Sequence, residues 1–105
     1  ELARLFHEKL TASPDFEPLH EPECNIVAFR HLPPELDGAT LEEQGEFQRR
    51  IRRKVIESGE FYLVATRLNG TEALRVTLIN PLTTGTRLDH LLDALRQAGR
   101  ECLSL

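Results

Sequence analysis

The residue of this 105-residue chain best placed for chemistry is Arg75, the one arginine in the β-rich run Leu74-Arg75-Val76-Thr77-Leu78-Ile79. A guanidinium is planar, permanently charged, and forks onto a carboxylate through two parallel N–H···O bonds. With Leu74 and Val76 pointing inward on either side, Arg75 has two candidate partners: a structural aspartate or glutamate, or the acid group of a substrate. The other reactive side chains are scattered. His7, His20, His31 and His90 lack the i, i+4 pairing or nearby carboxylate of a helical metal site. Ser13, Ser58 and Ser104 have no nucleophile elbow around them, and no glycine-rich phosphate loop exists. Cys24 and Cys102 are far apart, without a Cys-x-x-Cys motif, and read as two free, reduced thiols. The chain thus holds no complete catalytic constellation and no metal site of its own.

A second charged feature is the basic run Arg49, Arg50, Arg52, Arg53 and Lys54. Glu42, Glu43, Glu46 and Glu57 dilute it, and the formal charge of the chain is −4. Phe61 and Tyr62 alternate between faces, so no aromatic platform for bases forms. The run reads as a solvated, salt-bridged helix face rather than a nucleic-acid patch.

The element that must position Arg75 is a hairpin from Glu60 to Pro81, turned at Asn69-Gly70. A two-residue type I′ loop needs positive φ at both positions, which asparagine and glycine tolerate. Counting outward sets Leu68 against Thr71, Arg67 against Glu72, Val64 against Arg75, Leu63 against Val76, Tyr62 against Thr77 and Phe61 against Leu78. Opposite charges at Arg67 and Glu72 support this register. Alternation then gives a core face of Phe61, Leu63, Ala65, Leu74, Val76 and Leu78. The other face holds Tyr62, Val64, Thr66, Arg75, Thr77 and Ile79. It is too apolar for ordinary solvated surface, so part of it is expected to meet something beyond these 105 residues.

Around the hairpin, Leu2, Leu5, Phe6 and Leu10 recur at helical spacing until Ser13-Pro14 stops them. A proline-punctuated stretch, Asp15 to Glu23, leads into a central or near-central strand from Cys24 to Leu32. Pro33 to Gly38 is a loop. Thr40 and Glu43 have capping-box spacing at the start of a helix with Phe47, Ile51 and Val55 inward, ending at Gly59. After Asn80-Pro81 and a turn ending at Gly85, a last helix directs Leu88, Leu91, Leu92 and Leu95 inward, with Gly99 as its C-terminal cap. The expected fold is α+β: a two-layer sandwich of helices on a small antiparallel or mixed sheet. Its β-α-β-β-α portion is reminiscent of a ferredoxin-like arrangement.

A hydrophobic content of 40% with 29% charged residues is that of an ordinary globular domain. No run approaches the roughly 18 apolar residues of a membrane span, and no segment has the pattern of a secretory signal. No membrane or nucleic-acid partner is expected, and a cytoplasmic location is. The chain has no methionine and opens directly on a helical pattern. It therefore reads as a single domain, residues 1–105, cut from a longer polypeptide.

The pieces Cys24-Asn25-Ile26-Val27 through Phe29-Arg30, the helix leading to Ile56-Glu57-Ser58-Gly59, and Leu74 through Pro81 together resemble the C-terminal small domain of group II pyridoxal-phosphate-dependent amino acid decarboxylases. That family includes glutamate, aromatic amino acid and diaminobutyrate decarboxylases. The resemblance spans nearly the whole chain, chiefly Cys24 to Gly99, and rests on the order and spacing of the pieces. It implies the small domain of a type I pyridoxal-phosphate enzyme, packed beside a large domain that binds the cofactor as a lysine Schiff base, in a homodimer. The reaction implied is loss of carbon dioxide from an amino acid substrate. In the family that lysine follows a histidine, whereas Lys9 and Lys54 follow Glu8 and Arg53, so the Schiff base lies outside this chain. The matching strand arginine of glutamate decarboxylases helps hold a substrate carboxylate, and that role falls on Arg75. The residues flanking it differ from those of the glutamate enzymes, so carboxylate recognition does not imply glutamate as substrate. Two rivals stand beside this reading: a free-standing α+β ligand-binding or dimerisation module, and an aminotransferase built on the same architecture.

Overall fold

In a computed structural model the described residues form three helices on a four-stranded antiparallel sheet. The structure describes residues 2–19, 21, 26–57, 63–68, 70–77 and 84–103. In chain order the elements are α1 (Leu2–Thr11), β1 (Phe16–Pro18), β2 (Ile26–His31), a single 3₁₀ turn (Pro34–Leu36), α2 (Leu41–Glu57), β3 (Val64–Leu68), β4 (Thr71–Thr77) and α3 (Gly85–Leu103). The strand order is β1-β2-β4-β3, every neighbouring pair antiparallel. β4 thus returns between β2 and β3, which makes β2-α2-β3-β4 a split β-α-β unit of the ferredoxin-like kind. β2 is central, as its apolar run requires.

The hairpin has the expected register: Val64 lies opposite Arg75, Arg67 opposite Glu72 and Leu68 opposite Thr71. Gly70 takes φ of 79°, a left-handed value open to glycine. Leu63, Leu74 and Val76 are buried on the helix side with Val27 and Phe29 of β2. Ala65 is exposed although it faces the same way, because β3 is the sheet edge. Phe61, Tyr62, Leu78, Ile79, Asn80 and Pro81 lie outside the described residues.

α2 begins with the expected reciprocal cap. The Thr40 amide donates to the Glu43 carboxylate and the Glu43 amide to the Thr40 hydroxyl. A cap of this kind contributes about 1 kcal/mol, whereas Phe47, Ile51 and Val55 each contribute about 1.5 to 3 kcal/mol by burial. The cap therefore sets where α2 starts, and the apolar stripe sets which way it faces. Four of its five basic residues are engaged: Arg49 to Glu46 and Glu72, Arg50 to Glu46, Lys54 to Glu101, and the Arg52 Nε to the Leu63 carbonyl. That is the salt-bridged helix face expected from the sequence.

Four sequence expectations need correction. The segment after Pro14 supplies a fourth strand, β1, too short for periodicity to reveal and closed by Pro18 on a sheet edge, where a missing N–H is tolerated. Leu5 is 36% exposed, and Ala3 instead joins Phe6 and Leu10 in the core. Gly85 is the first residue of α3 rather than part of the preceding turn. Gly99 does not cap α3, which runs on to Leu103. Gly99 is buried where the helix crosses the sheet, and a Cβ there would sit 3.1 Å from Phe47 and 3.2 Å from His31. Close approach, not helix termination, explains that glycine.

The core is held by Phe6 and Phe29 edge to face at 5.5 Å, with Ile51, Leu74, Leu91 and Leu95 packed around them. Polar side chains are buried beside it, among them His31 and Gln48. Gln48 is only 1% exposed; its Oε1 accepts the His31 amide at 3.0 Å and its Nε2 donates to the His31 carbonyl at 2.7 Å. The side-chain amide thus satisfies both backbone groups of β2's last residue, as a neighbouring strand would.

Candidate functional site

Arg75 sits in mid-β4, with Ala28 of β2 and Val64 of β3 as its cross-strand neighbours. Alternation puts it on the face away from the helices, because Leu74 and Val76 enter the core. Along that face Arg75 and Thr77 are exposed, Ile26, Val64 and Thr66 are half-buried, and Ala28 and Ala73 are buried. Small alanine side chains therefore neighbour Arg75 across on β2 and two residues back on β4.

A second arginine on that face, Arg30, behaves oppositely. Its Nε donates to Glu17 Oε1 at 2.9 Å and its Nη1 to Gln44 Oε1 at 3.0 Å, and it is 9% exposed. Arg75, among the described residues, has no hydrogen bond or ion pair. The structural carboxylate that the sequence left open as its partner is therefore absent among the described residues. What the arrangement offers is an exposed fork donor on a half-apolar sheet face, competent to bind a carboxylate.

Of the scattered histidines, His7, His31 and His90 are among the described residues. No group of three or more His, Cys, Asp or Glu residues that could hold a metal occurs among the described residues. Cys102 is a free, buried cysteine whose thiol is pushed up by burial, and Cys24 and His20 lie outside the described residues. Lys9 pairs with Asp89 at 2.8 Å and Lys54 with Glu101 at 3.3 Å.

A polar cluster that the sequence did not reveal lies on the helix side. Arg96 of α3 donates from Nε to Asp15 Oδ2 at 2.9 Å and from Nη2 to Asp15 Oδ1 at 3.3 Å, and lies 5.1 Å over the Phe16 ring. His31 stacks on Phe16 at 4.4 Å, with its Nδ1 2.9 Å from the Asp15 main-chain oxygen. A carbonyl only accepts, so Nδ1 carries the proton and Nε2 is bare. Burial alone would raise the Asp15 carboxyl, but its bonds to Arg96 outweigh that and hold it below the ordinary 3.8. A carboxyl depressed on folding stabilises the protein above its unfolded pKa, and that contribution disappears as pH falls through the folded value. Asp15→Asn should therefore lower the melting temperature at neutral pH and lessen the loss of stability below about pH 3.8, read from melting curves across pH 2 to 7.

No model of a known protein family matches the chain. Solved structures do. A crystal structure of Oryza sativa TDC with PLP and tryptamine superposes with a TM-score of 0.83 at 20% identity, over 96% of this chain and 21% of that one. The glutamate decarboxylase domain of diaminobutyrate-pyruvate transaminase and L-2,4-diaminobutyrate decarboxylase from Vibrio parahaemolyticus gives 0.83 at 24% identity, over 95% and 20%. Catharanthus roseus tryptophan decarboxylase in complex with L-tryptophan gives 0.77 at 20% identity, over 95% and 20%. The chain spans about a fifth of the length of these structures. In fold, it corresponds to that fifth of these longer chains.

Proposed function

We propose that this chain is the C-terminal small domain of a pyridoxal-phosphate-dependent carboxy-lyase, which converts an amino acid to an amine and carbon dioxide. The observation that carries this reading is the superposition of 95% or more of the chain on about a fifth of structures that include decarboxylases. The engagement of both lysines in ion pairs supports a cofactor held by a separate large domain of the same polypeptide. There the cofactor supplies an electron sink for the carbanion left by loss of carbon dioxide. The small domain is inert by itself; its part is to complete the active-site wall and the homodimer, in the cytoplasm. Arg75 is the substrate-binding residue in this reading, holding a carboxylate through its fork. The exposed guanidinium beside Ala28 and Val64, without a partner among the described residues, supports that role. The half-apolar face around it supports contact with the remainder of the enzyme.

The test is product analysis on the full-length protein saturated with cofactor, offered acidic, basic and aromatic amino acids. Amine and carbon dioxide should appear together in equal amounts with at least one of them. A keto acid in place of amine would make the enzyme an aminotransferase, and no turnover of any amino acid with cofactor bound would end the proposal.

A further inference from the structure

We propose that the open edge of β3 takes up an acidic, extended segment of the longer polypeptide as a fifth strand, seating two carboxylates four residues apart on Arg52 and Arg67. The sheet has two edges, β1 and β3. β1 is guarded: it is three residues long, ends in Pro18, and has α1 packed against it. β3 has none of these devices. Val64–Leu68 contains no proline, glycine or lysine and pairs residue for residue with β4, without a bulge. Its outer side meets no strand and no loop backbone among the described residues. Ala65 lies on the helix side yet is exposed, so the helices stop short of this edge. An edge left in that state is a template for strand addition.

The charges along its rim select the chain that fits. On the helix side the residues run Leu63, Ala65, Arg67. At Leu63 the Arg52 side chain reaches down from α2, its Nε donating to the Leu63 carbonyl, and no carboxylate pairs with it among the described residues. At the other end Arg67, its side chain 67% exposed, shares the Glu72 carboxylate with Arg49. Arg53 is exposed and has no ion pair among the described residues. Even counting Glu42, which lines the hollow beside Arg67, the cations Arg49, Arg52, Arg53 and Arg67 outnumber Glu42, Glu46 and Glu72. This rim is thus positive on a chain whose formal charge is −4. Its two cationic ends are about 13 Å apart in an extended strand, with the small Ala65 between them. A strand laid alongside shares that period, so its helix-side residues should read acid, small, acid at i, i+2 and i+4. The residues between them fall beside the half-buried Val64 and Thr66 and should be apolar or β-branched. Within residues 1–105, acids four apart occur only at Glu17-Glu21, Glu42-Glu46 and Asp89-Asp93, around Leu19, Gln44 and Leu91, so the segment lies outside them. A second copy of β3 is the wrong partner, because antiparallel self-pairing sets Arg52 of one protomer against Arg67 of the other. The source is the remainder of the polypeptide, which rests on reading the chain as about a fifth of a longer one.

The experiment is residue-resolved hydrogen exchange on the full-length protein. Alternate amides of an antiparallel edge strand point outward, so a bare β3 would show a fast class and a slow class. With a fifth strand in place, the amides of Val64–Leu68 should form one protected class. Arg52→Glu combined with Arg67→Glu should speed exchange of the outward amides on the order of tenfold or more, while the β2 and β4 amides keep their protection. Because charge reversal also breaks the Arg67–Glu72 pair, the unsubstituted protein in about 1 M salt gives a second readout: screening there extends only ~3 Å, and the same amides should speed up. Two amide classes in the unsubstituted protein, or protection that survives both charge reversal and salt, would overturn the proposal. Protection lost on dilution would assign the edge to a second copy and overturn it equally. None of these readouts depends on turnover, so a failed reaction assignment and a bare edge are told apart.

Discussion

If Arg75 holds a substrate carboxylate as proposed, replacing it by alanine in the full-length protein should lower kcat/KM by about 10- to 100-fold, the value of one charge-assisted carboxylate contact of roughly 1.5 to 3 kcal/mol. The melting temperature should barely move, because Arg75 is exposed and has no partner among the described residues. If the fork holds substrate equally in ground and transition states, the loss appears in KM; if it orients the carboxylate for bond cleavage, it appears in kcat. Arg75→Lys keeps the charge but not the planar fork, and should recover only part of the loss. Steady-state kinetics on the three proteins at matched cofactor occupancy decide the matter. Unchanged kinetics in Arg75→Ala would remove this residue from substrate binding while leaving the fold correspondence intact.

A loss of stability of about 1 to 3 kcal/mol should follow Gln48→Leu, although leucine is the more hydrophobic residue and a good helix former. Gln48 is the sole described partner of the His31 amide and carbonyl, both buried beneath α2. Leucine fills the volume and strands both groups, and each buried backbone group left without a partner costs about 1 to 3 kcal/mol. The gain from burying an apolar side chain, roughly 1.5 to 3 kcal/mol, does not offset two such penalties together with the Gln48 contacts already present. Gln48→Glu keeps the shape and the acceptor but loses the donor, and should fall between. Urea unfolding gives the values directly; an unchanged midpoint in Gln48→Leu would mean that water or a backbone shift replaces the amide.

Both residues bear on what can be read from a linear chain. Arg75 was legible because it breaks an alternating apolar pattern, and the Asn69-Gly70 turn set its register without knowledge of the rest of the fold. Its role was not legible, because a guanidinium in mid-strand has the same sequence signature whether a carboxylate faces it or not. Gln48 was invisible for the opposite reason: a glutamine next to Phe47 on a charged helix reads as surface, and only the end of β2 beneath it makes it core.

Asp15, His31 and Arg96 carry the point furthest, since Asp15 and Arg96 meet across 81 positions with nothing in local spacing to link them. Gly99 was misread as a cap because glycine near the end of an apolar helix usually is one; its actual cause is the imidazole and Phe47 ring 3.1 to 3.2 Å from where a Cβ would lie. Helix starts, the inward stripes, the hairpin and its pairing all follow from contacts between residues near in sequence, so periodicity and turn chemistry suffice for them. The fourth strand, the order β1-β2-β4-β3, the glutamine inside the core, the histidine under α3 and the lack of a described partner for Arg75 arise from how segments remote in sequence come together, and only packing in three dimensions decides that.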